Sequence, residues 1–556
     1  LIHHDGYRFD QGPSLLLLPK LFKETFHDLD TSLEAEGVEL LKCEPNYNLW
    51  FGDGECFELS SDTAVMKREI EKWEGKEGFE RYLAWLGEAH RHYEISVREV
   101  LHKNFTSIFN LCRPSFLVNL FKLHPFESIY SRAAKYFWTE RLRRVFTFGS
   151  MYMGMSPFDA PGTYSLLQYT ELAEGIWYPV GGFHAVVEAL VRICGRSGVN
   201  IRLSAPVSSV LTTNTKDGKK ATGVQLASGE QLKADLVVIN ADLVYAYNNL
   251  FPTSTSQSYA QSLQKRAGSC SSISFYWALS ETIPELNTHN IFLADEYRES
   301  FDSIFDRQTI PHEPSFYVNV PSRIDPTAAP AGKDSIVVLV PVGHLLNSAT
   351  SSNPLGDPKA TAGSGLLPEQ DWDSIVQLTR DKIWATIEQR TGCKNLKQLI
   401  VHEELNTPPS WESTFNLDKG SILGLSHSFF NVLAFRPRTK HPSISGVYFV
   451  GASTHPGTGV PIVLAGAKIT TEQILQDRGV SVPWESKESV VRDQGVKQGK
   501  GTSGLDRVRK EGAILSNTGI FLLAAIVLAL TMLYLQSGLV VGWEVGGKRG
   551  WGTGRV

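Results

Sequence analysis

The sequence predicts an α/β protein of two interleaved domains closed by a C-terminal transmembrane helix, and three observations carry that expectation. Short apolar runs at 234–240 and 447–450 have strand character, and the second leads into a Gly/Pro loop at 451–461 and a helix at 462–476. Residues 21–178 set aromatics and leucines three to four apart, as in Phe79, Tyr82, Leu83 and Leu86, which predicts a large, mainly helical region. No charged residue occurs from Gly512 to Trp543, and a span needs about 20 apolar residues to cross a bilayer.

Composition bounds the function classes. The chain has 556 residues, 42% hydrophobic and 20% charged, enough to bury a sizeable core. A formal net charge of -5 gives no electrostatic footprint for nucleic acid. The six cysteines, Cys43, Cys56, Cys112, Cys194, Cys270 and Cys393, are scattered without C-x-x-C spacing. That pattern argues against a zinc site or a disulfide framework and suits a reducing, cytosol-facing compartment. No secretory signal stands ahead of the fold.

Taken in order, residues 1–10 predict a hairpin, because Asp5-Gly6 supplies the positive φ of a tight primed turn, and Gly12 and Pro13 then break the strand. Gly181-Gly182 precede a helix over 184–196, followed by alternating strand-like runs at 200–203 and 207–211. A Ser228-Gly229 turn leads to 234–240, a continuous apolar run of the kind buried on both faces of a parallel sheet. Further strands are expected at 271–278 and 335–340, with a mobile Ser/Gly/Pro-rich loop at 348–365 between the second of them and the rest. The charged, Gly-containing linker 481–512 tethers the body to the apolar segment 513–535, and a tail 536–556 follows. Arg507, Arg509 and Lys510 lie closer to that segment than Lys548, Arg549 and Arg555, which places the large domain on the cytosolic side of a single-pass anchor.

The loop at 451–461 carries chemistry. Glycines between a strand end and a helix start let backbone N–H groups approach an anion, and the helix N-terminus favours negative charge. A dinucleotide phosphate or ribityl chain suits it, although a plain Gly-rich connection would produce the same pattern. His455 has no identifiable carboxylate partner and reads as a polar loop residue rather than a catalyst. Glu140, Arg143 and Arg144 have the spacing of ion pairs on a solvated helix face.

Four segments together, 5–13, 151–158, 177–183 and 451–461, resemble the phytoene desaturases of fungi and, more distantly, of bacteria, in order from residue 1 to about 480. The resemblance implies a two-domain, amine-oxidase-like flavoprotein with FAD as cofactor, NAD being the less favoured dinucleotide. It divides the chain into FAD-domain parts at 1–20, 179–242 and 443–480, a helical substrate- or membrane-facing region at 21–178, and a mixed α+β substrate domain at 243–442. Gly12, Pro13, Val207, Gly451, Gly459, Val460 and Pro461 fall where relatives line the flavin. Relatives begin with a strand and a G-x-G-x-x-G turn ahead of the hairpin that opens this sequence, so the Rossmann-type FAD domain is expected to be incomplete and the chain N-terminally truncated.

The same resemblance implies stepwise dehydrogenation of the C40 polyene 15-cis-phytoene to lycopene or 3,4-didehydrolycopene in carotenoid biosynthesis. Bacterial relatives carry an acid and an arginine three apart beside the flavin, and alignment through Phe105-Thr-Ser places Asn110 and Arg113 there. Asn110 cannot act as a base, which leaves Arg113 an electrostatic role. A carotenoid isomerase or retinol saturase shares the scaffold, and a flavin-less, non-catalytic membrane protein is the contrasting class. Expected partners are the apolar polyene and a lipid bilayer, with homo-oligomerisation left open and no metal.

Overall fold

The computed structural model describes residues 1–216, 218–346 and 370–484. Strand β1 (Ile2–His4) pairs antiparallel with β2 (Tyr7–Phe9), Ile2 opposite Phe9. Asp5 at φ 41° and Gly6 at φ 86° make the turn between them, as the Asp-Gly step predicts.

The largest sheet has seven strands. Its strands are β4 (Tyr47–Trp50), β5 (Cys56–Leu59), β11 (Ser271–Leu279), β12 (His289–Phe292), β13 (Phe316–Asn319), β14 (Ser335–Val342) and β15 (Ile400–Asn406). They lie in the order β15-β11-β14-β13-β12-β4-β5, antiparallel except for the parallel pair β12 and β4. Every position of β11 is buried, because β14 and β15 flank it and the helix Trp372–Thr391 covers one face. Ile273, Phe275 and Trp277 of β11 pack there against Val376, Ile383 and Ile387 of that helix.

Smaller sheets are built from β7 (Val207–Thr215), β8 (Gly218–Leu226), β9 (Gln231–Lys233), β10 (Val237–Ile239), β16 (Ile444–Ser445) and β17 (Val447–Phe449). β10 and β17 run parallel, Ile239 opposite Phe449, although 210 residues separate them. The run 234–240 thus has its expected parallel partner, but not burial on both faces. Val238, in the middle of β10, is 45% exposed.

Residues 21–178 contain the long helical segment Thr63–Ser96, kinked at Gly75 (φ 67°) and started by Asp62, whose side chain accepts from the N–H groups of Ala64 and Val65. They also contribute β3 (Leu40–Cys43), β4, β5 and β6 (Ile176–Pro179), which a mainly helical reading does not contain. β3 pairs with β6 and β4 with β12, so partners more than a hundred residues away override the local pattern. Residues 200–203 form no strand: all four side chains are exposed, and alternation without a buried face stabilises nothing. The loop expected at 348–365 and the membrane span expected at 513–535 lie outside the described residues. Among the described residues no helix is long and apolar enough to cross a membrane.

The described chain divides into two compact units, one of Leu1–Asn104 with Leu123–Ser481, the other of Phe105–Lys122 with the described residues from Val482.

Candidate functional site

The parallel pair β10–β17 delivers the Gly-rich loop. Val450 N–H donates to the Ile239 carbonyl at 3.0 Å, and Gly451 follows at φ 101°. A Cβ on Gly451 would lie 2.2 Å from Asn240 Oδ1, so only glycine lets the loop cross the end of β10. The loop ends at Gly459, φ 104°, which caps the helix Val460–Asp477 without any side-chain hydrogen bond. Pro461 occupies the first turn, where its missing N–H costs nothing. The helix therefore presents an uncapped N-terminus, whose free N–H groups and positive dipole end suit an anionic ligand.

Arg436 sets the shape of this loop from beneath. Fully buried, it donates Nε–H to the Thr454 carbonyl at 3.0 Å and Nη1–H to those of Asn431 and Ser426 at 2.9 and 3.3 Å. Its Nη2 reaches the carbonyls of Leu425, at 3.4 Å, and of Ala452. Burial pulls the guanidinium down to about 10, so it keeps its charge at neutral pH. One cation thus ties residues 425–431 to residues 452–454. Beside it, burial and the arginine hold His427 well below the ordinary imidazole range, and its Nε2 accepts the Thr458 N–H at 3.1 Å. Acceptance at Nε2 puts the proton of this neutral ring on Nδ1. Within the loop, His455 Nε2 sits 2.8 Å from the Lys103 carbonyl, which gives it a structural engagement.

The residues expected to line a cofactor fall in related places. Gly12, at φ 118°, and Pro13 follow the hairpin in a segment anchored on both sides. Asp10 Oδ2 accepts from the Tyr178 hydroxyl at 3.0 Å and the Phe183 N–H at 3.2 Å, while Gln11 reaches Asn406 at 3.1 Å. Ser14 Oγ accepts from the Tyr317 hydroxyl at 2.8 Å. Leu16, just beyond, shares a core with Phe183, against which Val460 packs, and Ile462 packs against Leu18 and Leu21. Val207 opens β7 and packs on the core formed by Ile239 and Phe449. The chain after Pro13 and the start of the Val460–Asp477 helix are therefore brought together.

Asn110 and Arg113 belong to the other unit. There Asn110 Oδ1 accepts the Ser107 N–H at 2.8 Å in a capping box, and Arg113 Nε donates to the Asn110 carbonyl at 2.8 Å. The Arg113 guanidinium lies 4.5 Å from the centre of the Phe105 ring.

Residues 2–350 match the family model of flavin-containing amine oxidoreductases. A phytoene desaturase of Cercospora nicotianae is 59% identical over 542 residues, covering 90% of this chain and 86% of the relative. The chain belongs to the phytoene desaturases. One from Fusarium fujikuroi is 60% identical over 532 residues, with 95% of this chain and 90% of the relative covered. One from Neurospora crassa is 61% identical over 497 residues, with 88% and 80% covered.

Phytoene desaturases within this flavoprotein family use FAD, and the residues present fit it. The loop from Gly451 to Pro461 offers backbone donors, close approach and a positive helix end, which is the donor set a dinucleotide needs. Bound there, FAD would supply the hydride acceptor of the family's chemistry. In that placement Arg436 and His427, which fix the shape of the loop, would hold Gly451, Gly459 and Val460 in position against it.

A second polar group was not legible in the sequence. Glu171 is fully buried; Tyr47 donates its hydroxyl to Glu171 Oε1 at 3.0 Å, Gln168 Nε2 lies 3.5 Å from Oε2, and Asn46 Nδ2 donates to the Glu171 carbonyl at 2.6 Å. The Tyr152 hydroxyl neighbours that of Tyr47 without a well-formed hydrogen bond. The Tyr47 ring meets that of His289 at 5.9 Å, and His289 Nδ1 lies 2.8 Å from the Tyr317 hydroxyl. Burial pushes Glu171 up to about 8 and His289 down to about 3. Nothing in the run Leu166 to Gly175 separates Glu171 from an ordinary helical glutamate.

Glu88, His92 and His124 bring ligand atoms within 4.8 Å of one another. Arg132 Nε and the Tyr136 hydroxyl already hold Glu88 at 3.1 and 2.7 Å, and a guanidinium so close opposes a metal ion.

Proposed function

We propose that this chain is a 15-cis-phytoene desaturase that removes hydrogen stepwise, giving lycopene or 3,4-didehydrolycopene. The observation that carries the reading is the uncapped, Gly-lined N-terminus of Val460–Asp477, in a chain about 60% identical to fungal phytoene desaturases. Phytoene has no polar handle, so its binding rests on apolar area at about 25 cal/mol per Å². Each step takes a hydride and a proton from neighbouring carbons; the cofactor accepts the first and the protein handles the second. The uncharged segment 513–535 supports a single-pass anchor with the catalytic body on the cytosolic side, which would bring the site to the bilayer that dissolves its substrate. The test is expression in a bacterial host that accumulates phytoene, followed by chromatography of the pigments. Lycopene or a further desaturated polyene is expected. Unchanged phytoene with the protein present and flavin-loaded would overturn the reading.

A further inference from the structure

We propose that Glu171 is the base that takes up the proton released in each desaturation. The inference rests on the reading of the chain as a phytoene desaturase and adds a residue to it.

Its surroundings distinguish Glu171 from a structural carboxylate. Among the described residues it has no arginine or lysine partner, whereas the buried Glu88 is paired with Arg132 and the buried Asp334 with Arg323. Three more buried polar atoms of this group stand without a partner among the described residues: Asn46 Oδ1, Gln168 Oε1 and His289 Nε2. Each side chain is at most 1% exposed, and buried polar atoms are almost always paired. His289 leaves Nε2 unpaired in either tautomer, since only Nδ1 reaches Tyr317. Such a concentration marks a place where something else belongs. Glu171 also lies in a one-turn π-helix, Thr170–Glu174, a departure from α-helical pairing that recurs at functional sites.

The group is joined to the cofactor segment. From Ser14, next to Pro13, the Tyr317 hydroxyl leads to His289, whose ring lies against Tyr47, the partner of Glu171. The ionisable groups interacting with Glu171 are Tyr47 of β4 and Tyr152; behind them lie His289 of β12, against the Tyr47 ring, and Tyr317 of β13, which faces both tyrosines. Burial keeps all four neutral near pH 7, so no other charge competes for the proton.

The step balances. One allylic C–H bond breaks with its electron pair leaving as hydride to the flavin, the oxidant of the established activity. The neighbouring C–H bond then breaks, its proton goes to a Glu171 oxygen, and its electron pair becomes the new C=C bond. Burial of Glu171 favours this direction, because it turns a buried carboxylate into a neutral acid. The proton must leave before the next turn, and the Tyr47 hydroxyl is the hydrogen-bonded neighbour that can relay it.

The experiment compares full-length, FAD-loaded wild type with Glu171→Gln and Glu171→Asp. Turnover of phytoene is followed against pH, together with flavin content and the infrared carbonyl band of protonated carboxyl groups. Wild-type turnover should climb to a plateau above about pH 8, and a protonated-carboxyl band present at pH 6 should fade over the same range. Glu171→Gln should lose that band and roughly 10²–10⁴-fold in turnover while keeping its flavin. Glu171→Asp should recover part of the rate. Near-wild-type turnover in Glu171→Gln would overturn the proposal and leave the desaturase reading intact. So would loss of flavin in both variants, which marks a structural role, or the absence of a titrating band. Wild type that is flavin-loaded yet inert towards phytoene would sink both readings together.

Discussion

Thr458 donates its backbone N–H to Nε2 of His427 at 3.1 Å, and this bond fixes the last turn of the Gly-rich loop before the helix Val460–Asp477. A protonated ring would have no lone pair to offer, and burial beside Arg436 keeps this one neutral. Replacement His427→Phe keeps ring volume but strands the Thr458 donor, at a cost of about 1–3 kcal/mol. Flavin content after gel filtration should fall in this variant, with helical content by circular dichroism retained. Wild-type flavin occupancy would mean that the loop is shaped by other contacts.

Gly459 tests close approach. Its φ of 104° disfavours any L side chain, and its backbone opens the helix end to the ligand. A Gly459→Leu protein should fold and yet be purified colourless. A yellow preparation with a normal flavin spectrum would show that the cofactor lies elsewhere.

Arg436 has only backbone carbonyls for partners, so its removal strands several acceptors at once. Arg436→Met should lower the melting temperature and flavin content together, at about 1–3 kcal/mol for each carbonyl left dry. Arg436→Lys should restore little, because one ammonium cannot span carbonyls on two loops as a planar fork does. Full stability and occupancy in the lysine variant would refute the clamp.

Glu171 carries a pH signature in stability as well. Its folded value of about 8 lies above the ordinary glutamate value of 4.5, so between these limits the folded chain holds a proton that the unfolded chain has released. The stability this confers is complete below about 4.5 and is lost as pH rises through about 8, at up to ~1.4 kcal/mol per unit. Melting temperatures of Glu171→Gln and wild type should therefore diverge with rising pH, increasingly in favour of glutamine. A constant difference from pH 5 to 8 would show an ionised carboxylate.

Local chemistry was legible where it is local. Asp5-Gly6 announces its hairpin, and 450–461 announces a strand, loop and helix start because turn and cap preferences act over a few residues. The pairing of β3 with β6 and of β4 with β12 depends on segments far apart in sequence, and residues 40–50 carry only brief alternation to suggest it. Arg436 looks like a surface residue between Phe435 and Pro437; only the convergence of five carbonyls makes it a buried clamp. Glu171 is silent for the same reason, since Tyr47 reaches it from 124 residues before and brings the ring of His289 with it from far beyond. Leu203, 86% exposed, shows the converse: strand-like alternation with no sheet to join.

The membrane expectation is separable from the catalytic one. Removing everything after Gly512 should move the protein from the detergent-extracted to the soluble fraction without changing its flavin content. An unchanged distribution would count against the anchor at 513–535, or place membrane attachment on the catalytic body itself.

A phytoene desaturase of this kind oxidises phytoene with its own bound FAD, and anaerobic mixing of the flavin-loaded protein with 15-cis-phytoene in vesicles, followed by absorbance, observes that step itself. The oxidised-flavin band should bleach together with growth of polyene absorption, one new double bond for each flavin reduced. A flavin that stays oxidised while phytoene is present in excess would contradict it.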